Sequence, residues 1–411
     1  MAHEIKREGA EGYVGAGMPT NYVAELKYGP VIDLGLAENP MGSIVKPDLL
    51  NRYVTEQKIV EYDKDPHHKE VKETIIKGIG LSRVTEKDVI LNSNGSYGAG
   101  DEVVRALTRK FEEQGHQTIL YAPTYSFPNV KQYTVRHGAH YQPLPKGETF
   151  SPGDSLKSVL KMNKSQLHSN IVYIDYPNNP TGVADGMLLR EVVEHVSENG
   201  GVPFVDLAFG EVLGDEFKHA IQYTIDYKGV CVASLTKTQG LAALRAGYAI
   251  FNSELAESVY EKGKSAGGKL VFGLSPYSKA AIQILMKRDG NHRTLAENQG
   301  EMAAEYNTKA NQALYETLKS QDLDVLPTLL ETPVQVVFDP KGRDLYGRLS
   351  TAGIKTESLN DYRDTLQNGV SGLGDSAVRI LTPRNGQLED TLARIELAMS
   401  LPEDSIVRID K

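Results

Sequence analysis

Cysteine is nearly absent from this chain: Cys231 is the single one among 411 residues. That excludes an intramolecular disulfide and a metal site built from several thiolates, and it fits a reducing compartment, so a cytoplasmic location is expected. Long apolar runs are missing as well. Nowhere do 18 apolar residues follow one another, and the start, MAHEIKREGAEG, is charged, so neither a membrane span nor a signal peptide is expected. There is no surplus of basic residues: 45 Lys and Arg stand against 54 Asp and Glu, a formal net charge of -9, which argues against a nucleic-acid partner. Among the ten histidines, the pair His67 and His68 precedes an amphipathic segment and lacks a third spaced ligand, so it reads as solvated surface rather than a metal site. Gly95, Gly98 and Gly100 have the wrong spacing for a dinucleotide fingerprint and no acidic partner about twenty residues on.

What the chain does have is the profile of a globular enzyme, with 40% hydrophobic and 24% charged residues. Its length calls for two packed regions, each with its own apolar interior. Between about residues 71 and 250, short runs rich in Val and Ile alternate with helix-length amphipathic segments, which predicts a parallel sheet covered by helices. Strands are expected over 89–91, 118–121, 171–175, 203–206, 230–234 and 247–251, and helices over 99–111 and 187–196. Beyond about residue 292 a long polar helix reaching 321 leads to strands over 334–338 and 378–381, a helix near 345 and a last helix, which reads as a smaller α+β domain. No repeat, low-complexity tract or Gly/Ser linker is present, so the domains are expected to join through the long helix. The expected division is an N-terminal segment 1–45 joining the small domain, a large domain 46–290 and a small domain 291–411.

Three segments carry chemistry. Ser234, Leu235, Thr236 and Lys237, followed by Arg245, lie between the end of one strand and the start of another. A lysine there faces the carboxyl edge of the sheet, where open α/β sheets bind ligands. Flanked by hydroxyls and an arginine, it suits an anionic ligand bearing a carbonyl, with which a lysine amine condenses; a lone lysine is otherwise a solvated loop residue. In Tyr176-Pro177-Asn178-Asn179-Pro180-Thr181-Gly182, the prolines hold Asn179 extended, with its amide aimed across the sheet edge, although the same residue types also make an ordinary turn. Asp206 ends an otherwise apolar strand, where a carboxylate is costly unless paired with a cation; it could equally start a helical turn as its cap.

In this order the segments resemble the pyridoxal-phosphate (PLP) enzymes of fold type I, and within them the histidinol-phosphate aminotransferase-like branch of the class I/II aminotransferases. The likeness covers nearly the whole chain. Ala37-Glu38-Asn39-Pro40-Met41-Gly42 is similar to the family's Asn-Glu-Asn-Pro-Leu-Gly, and Glu61-Tyr62-Asp63 falls where the family has Tyr-Pro-Asp. Asn94-Gly95-Ser96 matches its phosphate loop, and Pro123-Thr124-Tyr125 its Pro-Thr-Tyr. The resemblance implies a PLP-dependent transferase fold, with a mainly parallel sheet flanked by helices in the large domain. It implies a homodimer with shared active sites, acting on an amino acid and a 2-oxo acid. It gives Lys237 the covalent bond to pyridoxal 5'-phosphate and the role of acid and base, and Asp206 the ring nitrogen. Gly95, Ser96, Tyr97, Ser234, Thr236 and Arg245 would form the phosphate cup, Tyr125 would stack on the ring, and Tyr62 would reach the phosphate in the neighbouring subunit. Asn179 would donate to the phenolic oxygen, Arg379 would hold a substrate anion with two parallel hydrogen bonds, and Tyr13, Glu38 and Tyr62 would line the pocket.

One departure stands out. The family's Asp-Glu-Ala-Tyr is here Asp206-Leu207-Ala208-Phe209, so the tyrosine hydroxyl that donates to the phenolic oxygen is missing and Asn179 becomes the main donor. Phe at this place is similar to threonine-phosphate decarboxylases and to some PLP-dependent amino-acid oxidases. Aminotransfer is the first expectation, with decarboxylation or oxidation as the alternatives.

Overall fold

The apolar runs of the first half become one seven-stranded sheet. The structure is a computed structural model, and it describes residues 30–35, 39–56, 68–145, 152–235, 237–257, 274–288, 293–359 and 376–406. After a short strand β1 (Ile32–Asp33), the chain lays down β2 (Val89–Asn92), β3 (Ile119–Ala122), β4 (His140–Pro143), β5 (Ile171–Asp175), β6 (Val202–Asp206), β7 (Val230–Ser234) and β8 (Gly247–Phe251). Their spatial order is β2-β8-β7-β6-β5-β3-β4. The pairs from β7 to β4 are parallel, whereas β8 runs antiparallel to both β7 and β2. The reversal follows from the connection 235–246, which holds only turns and the 3-10 helix Ala242–Leu244. A parallel return would need a crossover to the far end of the sheet, usually an α-helix, and the described residues of this connection hold none.

Both faces of the sheet are covered, which is why its strands read as continuous apolar runs. Val172, Ile174, Val205 and Ile250 point into one layer with Ile75, Val192, Ile221 and Leu285. Ile171, Tyr173, Phe204 and Val232 point into the other with Val103, Leu107 and Tyr133. Leu107, on the helix Gly95–Glu113, has no exposed surface, and burying a side chain of that size contributes about 1.5–3 kcal/mol. The edge strand β4 was not among the expected strands: only one of its faces is buried and its sequence is HYQP, so it lacks the Val/Ile signature. His68 also corrects an expectation. It is 4% exposed, enclosed where the chain turns in a left-handed conformation into the helix Lys69–Ile79, rather than solvated; its neighbour His67 lies outside the described residues.

The later residues form a second sheet. Strands β9 (Asp324–Val325), β10 (Val334–Phe338), β11 (Ile354–Lys355), β12 (Glu357–Ser358) and β13 (Ala377–Leu381) follow, and four of them make an antiparallel sheet in the order β12-β13-β10-β9. The remaining strand, β11, pairs in parallel with β1. The long helix Leu295–Ser320 opens with a capping box, Thr294 Oγ1 accepting from Glu297 N at 3.1 Å and Glu297 Oε2 accepting from Thr294 N at 2.6 Å. Its C-terminal half packs Leu314 and Leu318 against Val337, Val378 and Ile395. Its N-terminal half lies on the turn after β6, where a Cβ at Gly300 would come within 2.5 Å of Glu211 O. The helix therefore touches both sheets.

Candidate active site

The site gathers at the carboxyl ends of β5, β6 and β7, where the strands stop and their last side chains face one edge. At the end of β6, Asp206 is 8% exposed. One carboxylate oxygen accepts from Tyr173 Oη at 2.9 Å, the other from Ala208 N at 2.9 Å. Burial pushes the carboxyl up to about 6, while the Tyr173 hydroxyl, the Ala208 amide and the charge of Lys237 pull it down. Directly opposite in the register, at the end of β5, is Asp175. Burial, with the charge of Asp206 beside it, pushes it up to about 8, although Asn178 Nδ2 donates to it at 2.7 Å, Asn179 N at 3.1 Å and Phe127 N at 3.2 Å. Asp175 thereby ties the loop after β3 to the Asn178–Asn179 turn. Asn178 adds a second tie, donating to the carbonyl of Tyr125 at 2.8 Å. Tyr125 itself is 2% exposed, and burial raises its phenol.

Lys237 follows β7, with its Nζ 6.0 Å from the centre of the Phe209 ring. Its loop is braced from two sides. Asn39 Nδ2 donates to the carbonyl of Thr238, and Gln239 Nε2 donates to Glu211 Oε2 at 2.8 Å and to the carbonyl of Ala296 at 3.2 Å. Burial pushes Glu211 up to about 8, so near neutral pH it is largely protonated. A small cavity is lined by Lys237 together with Asn39, Phe209, Val212, Ala303 and Asn307 among others.

The start of a helix packs against β8, the strand that follows the lysine loop. The helix Gly95–Glu113 begins right after β2, and Asn94 provides no side-chain cap, so the amides of Ser96 and Tyr97 in its first turn have no partner within the helix. Arg245, with a left-handed φ of 51°, places Nη2 2.9 Å from Asn94 O and 3.0 Å from Asn94 Oδ1, and its carbonyl accepts from Gly95 N at 3.1 Å. Ser234, at the end of β7, donates to the carbonyl of Ala246 at 3.3 Å. The approach of β8 to this helix depends on Gly247, where a Cβ would meet Gly95 C at 2.1 Å and Ser96 N at 2.5 Å. Tyr97 turns its hydroxyl outward to Arg136, 3.4 Å away.

Arg379 reaches the same edge from β13. It is 4% exposed, with Nη1 donating to Asn179 Oδ1 at 2.9 Å and Nη2 donating to the Gly35 carbonyl at 2.6 Å and to Glu357 Oε2 at 2.7 Å. The structure thus brings together Lys237, Asp206, Asn179, Tyr125, Arg379 and, around the helix start, Gly95, Ser96, Tyr97, Ser234 and Arg245. Tyr13, Glu38, Tyr62 and Thr236 lie outside the described residues. Tyr173, Asp175 and Glu357 were not singled out from the sequence. The signal available was a Tyr and an Asp inside the apolar run IVYID, since buried polar groups of that kind need partners. Among the described residues no group of His, Cys, Asp and Glu could hold a metal ion, and no helix is long and apolar enough to cross a membrane.

Residues 33–333 match the model of the family described as aminotransferase class I and II. The histidinol-phosphate aminotransferase of Methanocaldococcus jannaschii is 24% identical over 375 residues, 90% of each chain. That of Anoxybacillus flavithermus is 29% identical over 236 residues, 56% of this chain and 58% of the relative, so that alignment spans little more than half of either protein. Among solved structures, histidinol-phosphate aminotransferase from Sinorhizobium meliloti in complex with pyridoxal-5'-phosphate superposes with a TM-score of 0.68 at 18% identity, covering 96% of this chain and 98% of that one. A probable N-succinyldiaminopimelate aminotransferase from Thermus thermophilus gives 0.71 at 18% identity, covering 93% and 98%. At these identities the structural likeness speaks for the fold, a mixed, mostly parallel sheet between helices.

Proposed function

The chain belongs to the class I and II aminotransferases, enzymes that work with pyridoxal 5'-phosphate, and from that premise we propose that it takes the amino group of an amino acid or an amino-acid-derived amine, in the manner of a histidinol-phosphate aminotransferase, and passes it to a 2-oxo acid. The observation that carries this reading is the position of Asp206. A carboxyl group so desolvated, yet supplied with two donors that favour its ionised form, is suited to face a cation, and the protonated ring nitrogen of the cofactor is one.

The residues present fit the group. The uncapped helix start beside Arg245 suits its phosphate, Lys237 its carbonyl, Asp206 its ring nitrogen and Asn179 its phenolic oxygen. Bound there, pyridoxal phosphate supplies an electron sink for the carbanion formed at the substrate's Cα. The chain's own residues do the rest. Asp206, held in place by Tyr173 and Ala208, would keep the ring nitrogen in its charged form. With the group bound, Lys237 Nζ would take the proton from the substrate's Cα and give it to C4′, the cofactor carbon that carried the carbonyl oxygen. Tyr125 would stack on the ring, and Arg379, its guanidinium fixed by Asn179, would hold the substrate's anionic group. In the homodimer we propose, Tyr62, Glu38 and Tyr13 would complete the pocket and Thr236 the phosphate cup, and the chain would divide into an N-terminal segment 1–45, a large domain 46–290 and a small domain 291–411. The location that suits this enzyme is the cytoplasm.

One observation favours a second reading. Phe209, packed with Val334 and Leu381, stands where the family has a hydroxyl beside the phenolic oxygen, as in decarboxylases that act on threonine phosphate and in some oxidases. The deciding experiment incubates one amino acid with the purified protein, with and without a 2-oxo acid. Amino exchange that depends on the 2-oxo acid supports aminotransfer; carbon dioxide or hydrogen peroxide without exchange refutes it. A Lys237→Ala variant should lose both the visible cofactor band that borohydride abolishes in the parent and the exchange.

A further inference from the structure

We propose that Glu357 is a specificity-determining residue: it occupies the place on Arg379 that a substrate's anionic group takes, so a ligand must displace it to be held. The proposal rests on the reading of Arg379 as the anion receptor. The register sets Glu357 of β12 directly opposite Arg379 of β13, and its Oε2 lies 2.7 Å from Arg379 Nη2. Each terminal nitrogen of a guanidinium carries two hydrogens. Both of those on Nη2 are taken, one by the Gly35 carbonyl and one by Glu357, and Nη1 already gives one to Asn179.

The two edges of a guanidinium that offer a pair of parallel donors, Nη1–Nη2 and Nε–Nη2, both include Nη2, so with Nη2 engaged by Gly35 and Glu357 one of these partners must leave before a carboxylate is held by two bonds. Gly35 is held by backbone: its own amide donates to Asp33 Oδ1 at 2.9 Å, and its neighbour Leu34 donates to the Lys355 carbonyl at 2.8 Å. Asn179 is held through its amide on Asp175. Glu357 alone of the three has water to move into, its side chain being 38% exposed against 5% for that of Arg379. Its charge also neutralises the guanidinium, which lowers the attraction for any anion until it swings away. An amine that carries no anionic group makes no such demand and binds as it would without Glu357.

The test uses the holoenzyme and two probes that differ only in the carboxylate, L-histidine and histamine, each titrated against the visible cofactor band. In Glu357→Gln the apparent affinity for L-histidine should rise about tenfold, the factor that a 1.4 kcal/mol change gives, while that for histamine stays within about twofold. Unchanged or weaker L-histidine binding in a variant whose thermal unfolding matches the parent would overturn the proposal and leave the pair as a structural one. An Arg379→Gln variant separates the two ideas. If it leaves the ratio of L-histidine to histamine affinity as in the parent, the assignment of Arg379 has failed; if the ratio collapses there and is unmoved by Glu357→Gln, only the role of Glu357 has failed.

Discussion

Removing one hydroxyl from the strand behind Asp206 should make cofactor retention depend on pH. In a Tyr173→Phe variant the ring keeps its edge contact with Phe204, 5.2 Å between centres, but Asp206 loses the donor at 2.9 Å. A hydrogen bond to a charged group contributes about 1.5–3 kcal/mol. At 1.36 kcal/mol per pKa unit, its loss lifts Asp206 from about 6 by one to two units, to roughly 7–8 in the cofactor-free protein. At pH 7 the ionised fraction then drops from about 0.9 to between about 0.5 and 0.1, and apparent cofactor affinity falls with it, by about twofold to tenfold. Above pH 9 both proteins are ionised at this position and the difference should close. The assay is titration of the cofactor-free protein with pyridoxal phosphate at pH 6, 7 and 9, followed by visible absorption. Equal affinities for parent and variant at all three values would refute the claim that Tyr173 keeps the carboxylate charged, as would a gap of the same size at pH 9.

Two further outcomes follow from groups already described. Asp206, pushed up to about 6, and Asp175 and Glu211, pushed up to about 8, are protonated more readily in the fold than in the unfolded chain, where carboxyls titrate near 4. Their contribution to stability is full below about pH 4 and is lost as pH rises through about 6 and then about 8. Urea midpoints of the cofactor-free protein, held at constant salt, should therefore be lower at pH 8.5 than at pH 5.5, and a rise over that interval contradicts the assignment. In Gly247→Ala the new methyl group would meet Gly95 C at 2.1 Å and Ser96 N at 2.5 Å, forcing the helix start away from β8 at a cost of about 1–3 kcal/mol. Dialysis should strip the cofactor from this variant while the parent keeps its colour; equal retention would remove the close approach from the account of the phosphate seat.

The sequence announced its strands where they are buried on both faces. The runs at 171–175, 230–234 and 247–251 coincide with the observed strands, because Val and Ile crowd there without polar interruption. It did not announce β4, which lies at an edge with one buried face, nor the reversal of β8, since strand direction comes from the connection and not from strand composition. At the site, Asp206 was legible as a carboxylate ending an apolar strand, Lys237 as a lysine flanked by hydroxyls and an arginine between two strands, and Asn179 from the prolines that fix it, whereas Arg379 came from the family resemblance alone. Tyr173 and Glu357 were not. The first sits inside a strand where an aromatic residue reads as core, and the second belongs to a strand of two residues that has no periodicity to detect.

The reversed strand β8 has a mechanical result. Because it returns beside β7 and next to β2, the loop that carries Lys237, the entry through Arg245 and the start of the helix at Gly95 all hang on three adjoining strands, with no crossover between them. Arg379 is mounted instead on the other sheet and meets the loop after β5 at Asn179. A shift of one sheet against the other would then tighten or slacken the hold on a ligand's charged end while the points that seat the cofactor kept their mutual spacing, so grip and chemistry are separately adjustable.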